Sequence, residues 1–396
     1  MSKRLRRFIF LAFSIVFLIL APLIVLYTAG YRYNFGTGSI VQTGVLSLTS
    51  MPKSARVSLD GKLLGSTTPT VFKNIFPGEH TIRLEKDGYT SWEKHLTVES
   101  RQTTFVENAV LFLHETPTLI RETTLTAVNV NPTRSKAVYT ITQGQWAEIW
   151  VHNLMIGTES LVSRLPIKTN TQIQFHWLNN DTILSIEATN EEKLTSTQID
   201  VTTNAPVDWE SDSNIVLTKR IDDVVVSRKQ NETDTILAYL PYGDYQLLET
   251  AVDVIFLKEK NNDRIVLVRS LGGDQPILLN THATSWQWEP SGTRLLYSDG
   301  FDLHVFDARS QTDETLTRLS YAITNVSWIP GLPVVLYAQN DAIYAIEFDH
   351  RDYRIVTEVV SGTNIQSFTT NSAGNTLYFF GTVGDKTGLF SRRLEK

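Results

Sequence analysis

Cysteine is absent from this 396-residue chain. That excludes disulfides, thiol catalysis, thiolate metal sites and lipid attachment through a cysteine. Familiar catalytic motifs are missing as well. There is no Gly-x-Ser-x-Gly elbow, no His-Glu-x-x-His pair and no Gly-x-x-x-x-Gly-Lys phosphate loop. The expectation is a protein that is not an enzyme and holds no cofactor and no metal. Charge is scarce in one place above all. From Phe8 to Tyr27, twenty consecutive residues carry none.

Those twenty residues would span roughly 30 Å as a helix, the thickness of a bilayer core. Lys3, Arg4, Arg6 and Arg7 precede them, and basic flanks stay in the cytoplasm. The expected arrangement is an uncleaved single-pass anchor at 8–27 with the body outside. A signal peptide would have a shorter apolar core and an Ala-x-Ala-like site, which Thr28, Ala29, Gly30 and Tyr31 match poorly. Tyr27, Tyr31, Tyr33 and Phe35 fall at the depth where aromatic rings favour the interface. The formal net charge is −6, but residues 1–30 hold four basic groups and no acid. The rest therefore has 32 basic against 42 acidic groups, a balance of −10 that disfavours nucleic acid.

Residues 1–30 read as cytoplasmic tip and anchor, and 31–44 as a linker containing Gly36, Gly38 and Gly44. Beyond it the helical period vanishes. Short β-branched and aromatic runs alternate with Gly, Pro, Asn and Asp turns, so the body is expected to be all-β. In 45–115 the expected strands are 45–49, 55–59, 70–72, 78–86, 91–98 and 104–113. Asp60-Gly61 between Val57-Ser58-Leu59 and Lys62-Leu63-Leu64 predicts a two-residue hairpin. Thr68-Pro69, Pro77-Gly78 and Lys86-Asp87-Gly88-Tyr89 mark further turns.

This segment resembles a PEGA domain, a small module found mainly in prokaryotic surface proteins. The residues carrying the resemblance are Pro52, Val57-Ser58-Leu59-Asp60-Gly61, Gly65-Ser66-Thr67-Thr68-Pro69, Pro77-Gly78-Glu79-His80 and Lys86-Asp87-Gly88-Tyr89. Two features depart from the pattern: the tetrapeptide Pro52-Lys53-Ser54-Ala55 and one extra residue between Gly65 and Thr68. The resemblance implies a surface β-sandwich with no catalytic residues.

Residues 116–396 carry a faint repeat. Trp288-Glu289-Pro290 and Trp328-Ile329-Pro330 lie 40 residues apart, and Tyr297 and Tyr337 each follow seven residues after the proline. The same offset joins Pro132 to Tyr139 and Asn371 to Tyr378. Trp177-Leu178-Asn179 fits the first half, with Ile186 in place of tyrosine. A period near 40 with about four short strands per unit predicts a β-propeller. Units starting near 124, 172, 215, 251, 284, 324 and 364 make about seven blades. The turn Trp288-Glu289-Pro290-Ser291-Gly292 is similar to the repeats of TolB-like propellers, while the Gly-His and Trp-Asp dipeptides of WD40 repeats are absent. That resemblance implies fold, not function.

Among individual residues, His80, His152, His176 and His304 read as structural. Asp299-Gly300 and Asn340-Asp341 read as hairpin turns rather than calcium loops, and Glu191-Glu192-Lys193 as a solvated tip. Trp177, Trp286, Trp288 and Trp328 recur at blade positions and are expected in the core. Tyr239-Leu240-Pro241-Tyr242-Gly243-Asp244-Tyr245 gathers three tyrosines at one turn, and Trp209 sits in an acidic stretch. Trp209, Tyr242 and Tyr245 are the candidate partner contacts, since exposed aromatics on a rigid rim anchor proteins or glycans. The leading functional expectation is a membrane-anchored extracytoplasmic binding or scaffold protein of the cell envelope, presenting a propeller face to an envelope protein or cell-wall glycan. The alternatives are a sensor acting through a membrane partner and a propeller enzyme that processes glycans.

Overall fold

The computed structural model describes residues 3–395 except Thr37, 124–126, Pro132, 169–170, 179–181, 191–192, 209–213, 231–232, Val252 and Asn261. The chain divides into two units, 1–114 with 349–355, and 115–348 with 356–396.

The first unit opens with the helix Lys3–Thr28, whose residues 6–28 are long and apolar enough to cross a membrane. Residues 30–42 cap its C-terminal end. Gly30 takes φ +84°, the left-handed conformation usual after a helix. The Arg32 guanidinium donates to the Tyr27 carbonyl at 2.7 Å and the Gln42 amide to the Ala29 carbonyl at 2.8 Å. Carbonyls that a helix leaves unbonded are thereby satisfied, and a cation sits at the negative end of the helix dipole. Residues 31–44 are consequently not an open spacer. Tyr31–Asn34 pairs with Ser39–Gln42 in a hairpin.

Two sheets complete the unit. One orders Thr70–Ile75, Gly44–Met51 and Thr103–Val110, and the other Lys62–Thr67, Arg56–Leu59, Gly78–Glu85 and Trp92–Val98. Strict alternation along Gly44–Met51 turns Leu46 and Leu48 inward, where they share a core with Val57, Ile82, Leu84 and Trp92. The Asp60-Gly61 turn has φ +51° and +76°, as a type I′ hairpin requires, and joins Leu59 opposite Lys62.

The same alternation along Trp92–Val98 points Lys94 inward. It is fully buried, and its ammonium donates to the Asp349 carbonyl at 2.6 Å, from the distant segment 349–355 that belongs to this unit. Next to it, the His95 ring and amide both meet the Asp352 carboxylate, at 3.0 and 2.8 Å. The hydrogen bond to Asp352 raises the His95 pKa above its usual 6.5. Stability from this pair is therefore complete below about pH 6.5 and fades as pH rises through the elevated value. NMR titration should place His95 above its usual value, and Asp352→Asn should bring it back. An unchanged titration in Asp352→Asn would show that the pair is not formed.

Among its described residues the second unit contains seven consecutive antiparallel sheets, spanning 128–166, 172–206, 215–241, 245–282, 285–318, 323–361 and 363–393. Each is a meander whose first strand is an edge. The fourth begins at Tyr245 rather than near 251, because the ladder Tyr245–Ala251 with Val254–Glu259 starts directly after the turn at 242–244. Thr118–Glu122, the first strand of the unit, pairs antiparallel with the last, Lys386–Arg393, and gives the seventh sheet its fourth strand. Arg392 and Arg393 fasten this junction. Arg392 donates to the Glu115 carbonyl and Arg393 grips the Glu115 carboxylate, which it holds below the usual range.

Among the described residues, six of the seven junctions between neighbouring sheets are joined by shared apolar cores or hydrogen bonds. Shared apolar cores connect the first to the second, the third to the fourth, the fourth to the fifth, the fifth to the sixth, and the seventh to the first. Hydrogen bonds link the sixth to the seventh, from Asn325 to the Gln366 carbonyl and from Thr370 to the Trp328 carbonyl. Tyr139, Tyr297 and Tyr337, the tyrosines of the sequence repeat, are all buried on second strands. Tyr139 donates to Glu159 and Tyr297 to Asp313, two polar tips satisfied from the fourth strand of the same sheet, across the third.

Candidate functional site

The repeat that betrays the fold also builds a cavity. The ends of the first strands of four sheets converge, at 129–134, 286–292, 325–330 and 367–372. They enclose about 540 Å3. The walls come from the first, fifth, sixth and seventh sheets.

Arg134 is the singular group there. Its position, two residues after Pro132, corresponds to Gly292 in the turn after Trp288, and both are left-handed, with φ +59° for Arg134 and +69° for Gly292. A left-handed conformation costs a non-glycine residue roughly 1–2 kcal/mol. The side chain is 3% exposed. Its guanidinium donates to the Gln287 carboxamide oxygen at 3.1 Å and to the Trp328 and Trp288 carbonyls, each at 3.4 Å. All three acceptors are neutral, and desolvation pulls the Arg134 pKa down to about 10.

Glu289 lies close enough to be felt, but its charge is committed. Arg294 clamps it with two hydrogen bonds of 2.6 and 2.9 Å, and the Glu289 pKa is lowered chiefly by that bond. Asp307 acts on Arg294 as well, so two guanidiniums stand with two carboxylates, neither of them hydrogen-bonded to Arg134. Among the described residues no carboxylate lies within salt-bridge distance of Arg134. The Gln287 carboxamide is oriented without ambiguity, since its oxygen also accepts the Trp328 amide at 2.8 Å, which leaves its nitrogen facing away from both donors. Trp286 and Trp288, half-buried, supply aromatic walls, and the Trp288 indole nitrogen has no acceptor among the described residues.

A second cavity of about 400 Å3 beside Trp146 differs in kind, because its Glu148 and Arg164 pair at 2.7 Å and cancel. Asp299, Asp302 and His304 come within metal-ligating distance of one another. Asp299 caps its turn by accepting the Phe301 and Asp302 amides, Asp302 meets Arg318, and His304 stacks on Tyr297 with centroids 4.8 Å apart. These are features of a hairpin turn.

Of the aromatic residues anticipated as contacts, the structure describes Tyr242 and Tyr245. Trp209 lies outside the described residues. Tyr242 is 61% exposed at its turn. Tyr245 is 6% exposed and belongs to the apolar core of the third and fourth sheets, because it is the first residue of a ladder strand rather than part of the loop. It therefore cannot act as a surface anchor. Neither tyrosine lines the 540 Å3 cavity. Trp328 is buried as anticipated, whereas Trp286 and Trp288 each keep a partly open face at that cavity.

The arrangement is that of a mostly-β protein of small meander sheets carrying a pocket at converging strand ends. Residues 43–110 match the family described as the PEGA domain. No curated protein matches the chain. Among solved structures, a chain of the mitotic checkpoint complex is 9% identical, with 71% of this chain and 92% of that chain covered and a TM-score of 0.47. U3-55K is also 9% identical, covering 70% and 98% at a TM-score of 0.41. KlHsv2 with loop 6CD replaced by a Gly-Ser linker is 12% identical, covering 68% and 97% at 0.40. The sheet order, rather than likeness at this level, defines the fold.

Proposed function

We propose that this chain is a membrane-anchored extracytoplasmic binding protein, non-enzymatic, in which the seven sheets form a seven-bladed propeller closed through Thr118–Glu122. The cavity around Arg134 carries the binding reading: it is a preformed, aromatic-walled pocket with converging polar donors, of the size small-ligand sites have. The helix 6–28 fixes the protein in the membrane, and the match of 43–110 to a surface-protein module supports an outward-facing body. The propeller then presents its pocket, and the rim with Tyr242, to an envelope protein or a cell-wall glycan.

The absence of cysteine makes topology direct to test. Ser2→Cys and Gly65→Cys introduce single thiols, and a Cβ at Gly65 meets nothing within 4 Å. A membrane-impermeant maleimide should label position 65 in intact cells and position 2 only after lysis. Labelling in the reverse order would refute the orientation. Loss of position 2 from the mature protein would show that the helix is cleaved.

A further inference from the structure

We infer that the cavity at the converging strand ends is a carboxylate-binding site whose counter-ion is Arg134. The inference rests on the binding reading above, but not on which side of the membrane the body lies.

Three observations lead to it. The first is the cost of Arg134 to the fold. Its backbone is left-handed at a position that Gly292 fills in the equivalent turn, and its charge is buried against neutral oxygens. A glycine there would relieve both penalties. A residue that strains its backbone and buries a charge beside a cavity is a candidate for function.

The second is the charge balance. The Glu289 carboxylate is bonded to Arg294, and among the described residues no carboxylate lies within salt-bridge distance of the buried Arg134 guanidinium. A ligand carboxylate would complete an ion pair of which the protein holds one half, in surroundings that strengthen charge-assisted hydrogen bonds.

The third is the kind of polar group left over. Arg134 has five N–H groups, of which three are engaged with described residues. The Gln287 nitrogen is a further donor, turned away from the bonded oxygen, and the buried Trp288 indole nitrogen has no acceptor among the described residues. Many of the cavity's acceptors are occupied. Asn129 Oδ1 takes the Val130 amide, Asn325 Oδ1 takes the Val326 amide, and Asn131 Oδ1 takes the amides of Ser135 and Lys136. The spare N–H groups of Arg134 favour an acceptor-only group, and an ionised carboxylate is one.

A carboxylate of this size class comes from a peptide C-terminus or a uronic acid, and the test separates them. The full chain in detergent would be titrated, following intrinsic tryptophan fluorescence, with a tripeptide as free acid and as C-terminal amide, and with a glucuronic acid disaccharide and its methyl ester. At least one acid should bind with Kd below about 1 mM and its neutral counterpart at least about 10-fold more weakly. Whichever acid binds names the source. Arg134→Gly should keep the melting temperature within about 2 °C of wild type or raise it, and abolish the preference for acid. Equal binding of acid and neutral forms, or no saturation by either acid at about 10 mM, would overturn the inference, as would an intact preference in Arg134→Gly. The comparison of acid with neutral form on the wild-type protein decides the matter even if the variant fails to fold. Because the assay uses detergent-solubilised protein, its failure leaves the topology result standing.

Discussion

Replacing Trp328 with alanine should destabilise the second unit by about 3–5 kcal/mol, the range for deleting a large buried aromatic side chain. Trp328 is 1% exposed and lies in the core shared by the fifth and sixth sheets. Its ring packs against Phe348 with centroids 5.7 Å apart and beneath the Arg294 guanidinium at 4.8 Å. Its indole N–H donates to the Gln287 carbonyl at 2.9 Å, and its own amide donates to the Gln287 carboxamide at 2.8 Å. Alanine leaves the main-chain bonds in place but opens a cavity and strands the Gln287 carbonyl. Trp328→Phe separates the two effects. It keeps most of the apolar volume and removes one hydrogen bond, so about 1–2 kcal/mol is expected. Urea unfolding followed by near-ultraviolet circular dichroism would report both. A loss under about 1 kcal/mol in Trp328→Ala would mean that the junction of these sheets does not depend on this side chain.

Gly388→Ala should release the strand Thr118–Glu122 from the seventh sheet. A Cβ at Gly388 would run into the Arg121 carbonyl and the Glu122 Cα, and Gly388 pairs directly with Glu122. The obstacle is main chain, so no rotamer change relieves it. The ladder must open or the strand must shift, at a cost of at least about 2 kcal/mol. Hydrogen exchange at 118–122 should accelerate while exchange in 128–166 stays slow. Gly65→Ala, with nothing near its Cβ, should leave exchange and stability unchanged. Undisturbed protection of 118–122 in Gly388→Ala would show that this pairing does not hold the last sheet.

Much of this architecture is legible in the sequence where local chemistry and packing agree. Asp60-Gly61 declares its hairpin because few other residues accept two left-handed positions in a row. The Trp-x-Pro turns and the tyrosines seven residues on mark the fifth and sixth sheets because the same burial recurs every 40 residues. Tyr245 misleads because a tyrosine beside Gly243 and Asp244 looks like loop, and only the ladder to Glu259 shows its ring turned inward. The hairpin at 31–42 is hidden because half-exposed short strands carry no apolar alternation. Lys94 occupies an inward position that a pattern of apolar residues cannot announce, since its partner is 255 residues away.

Arg134 is the instructive omission. Nothing in Asn131-Pro132-Thr133-Arg134-Ser135 marks it as unusual until the turn is aligned with Trp288-Glu289-Pro290-Ser291-Gly292. The clue is the arginine standing where the sister turn has glycine. Its meaning depends on Gln287, Trp288 and Trp328, at least 153 residues away, which only the converging strand ends bring within reach.

The pairing of Thr118–Glu122 with Lys386–Arg393 also sets an order of events during synthesis. The early strand emerges roughly 270 residues before its partner, a wait of roughly 15–50 s at ordinary elongation rates. Throughout that interval its amides and carbonyls form an open edge, the kind that recruits strands from other chains. A message truncated anywhere before the last strand leaves that edge permanently bare. Lys386–Arg393 thus acts as a completeness check: only a chain translated through it can hide the strand that has waited longest.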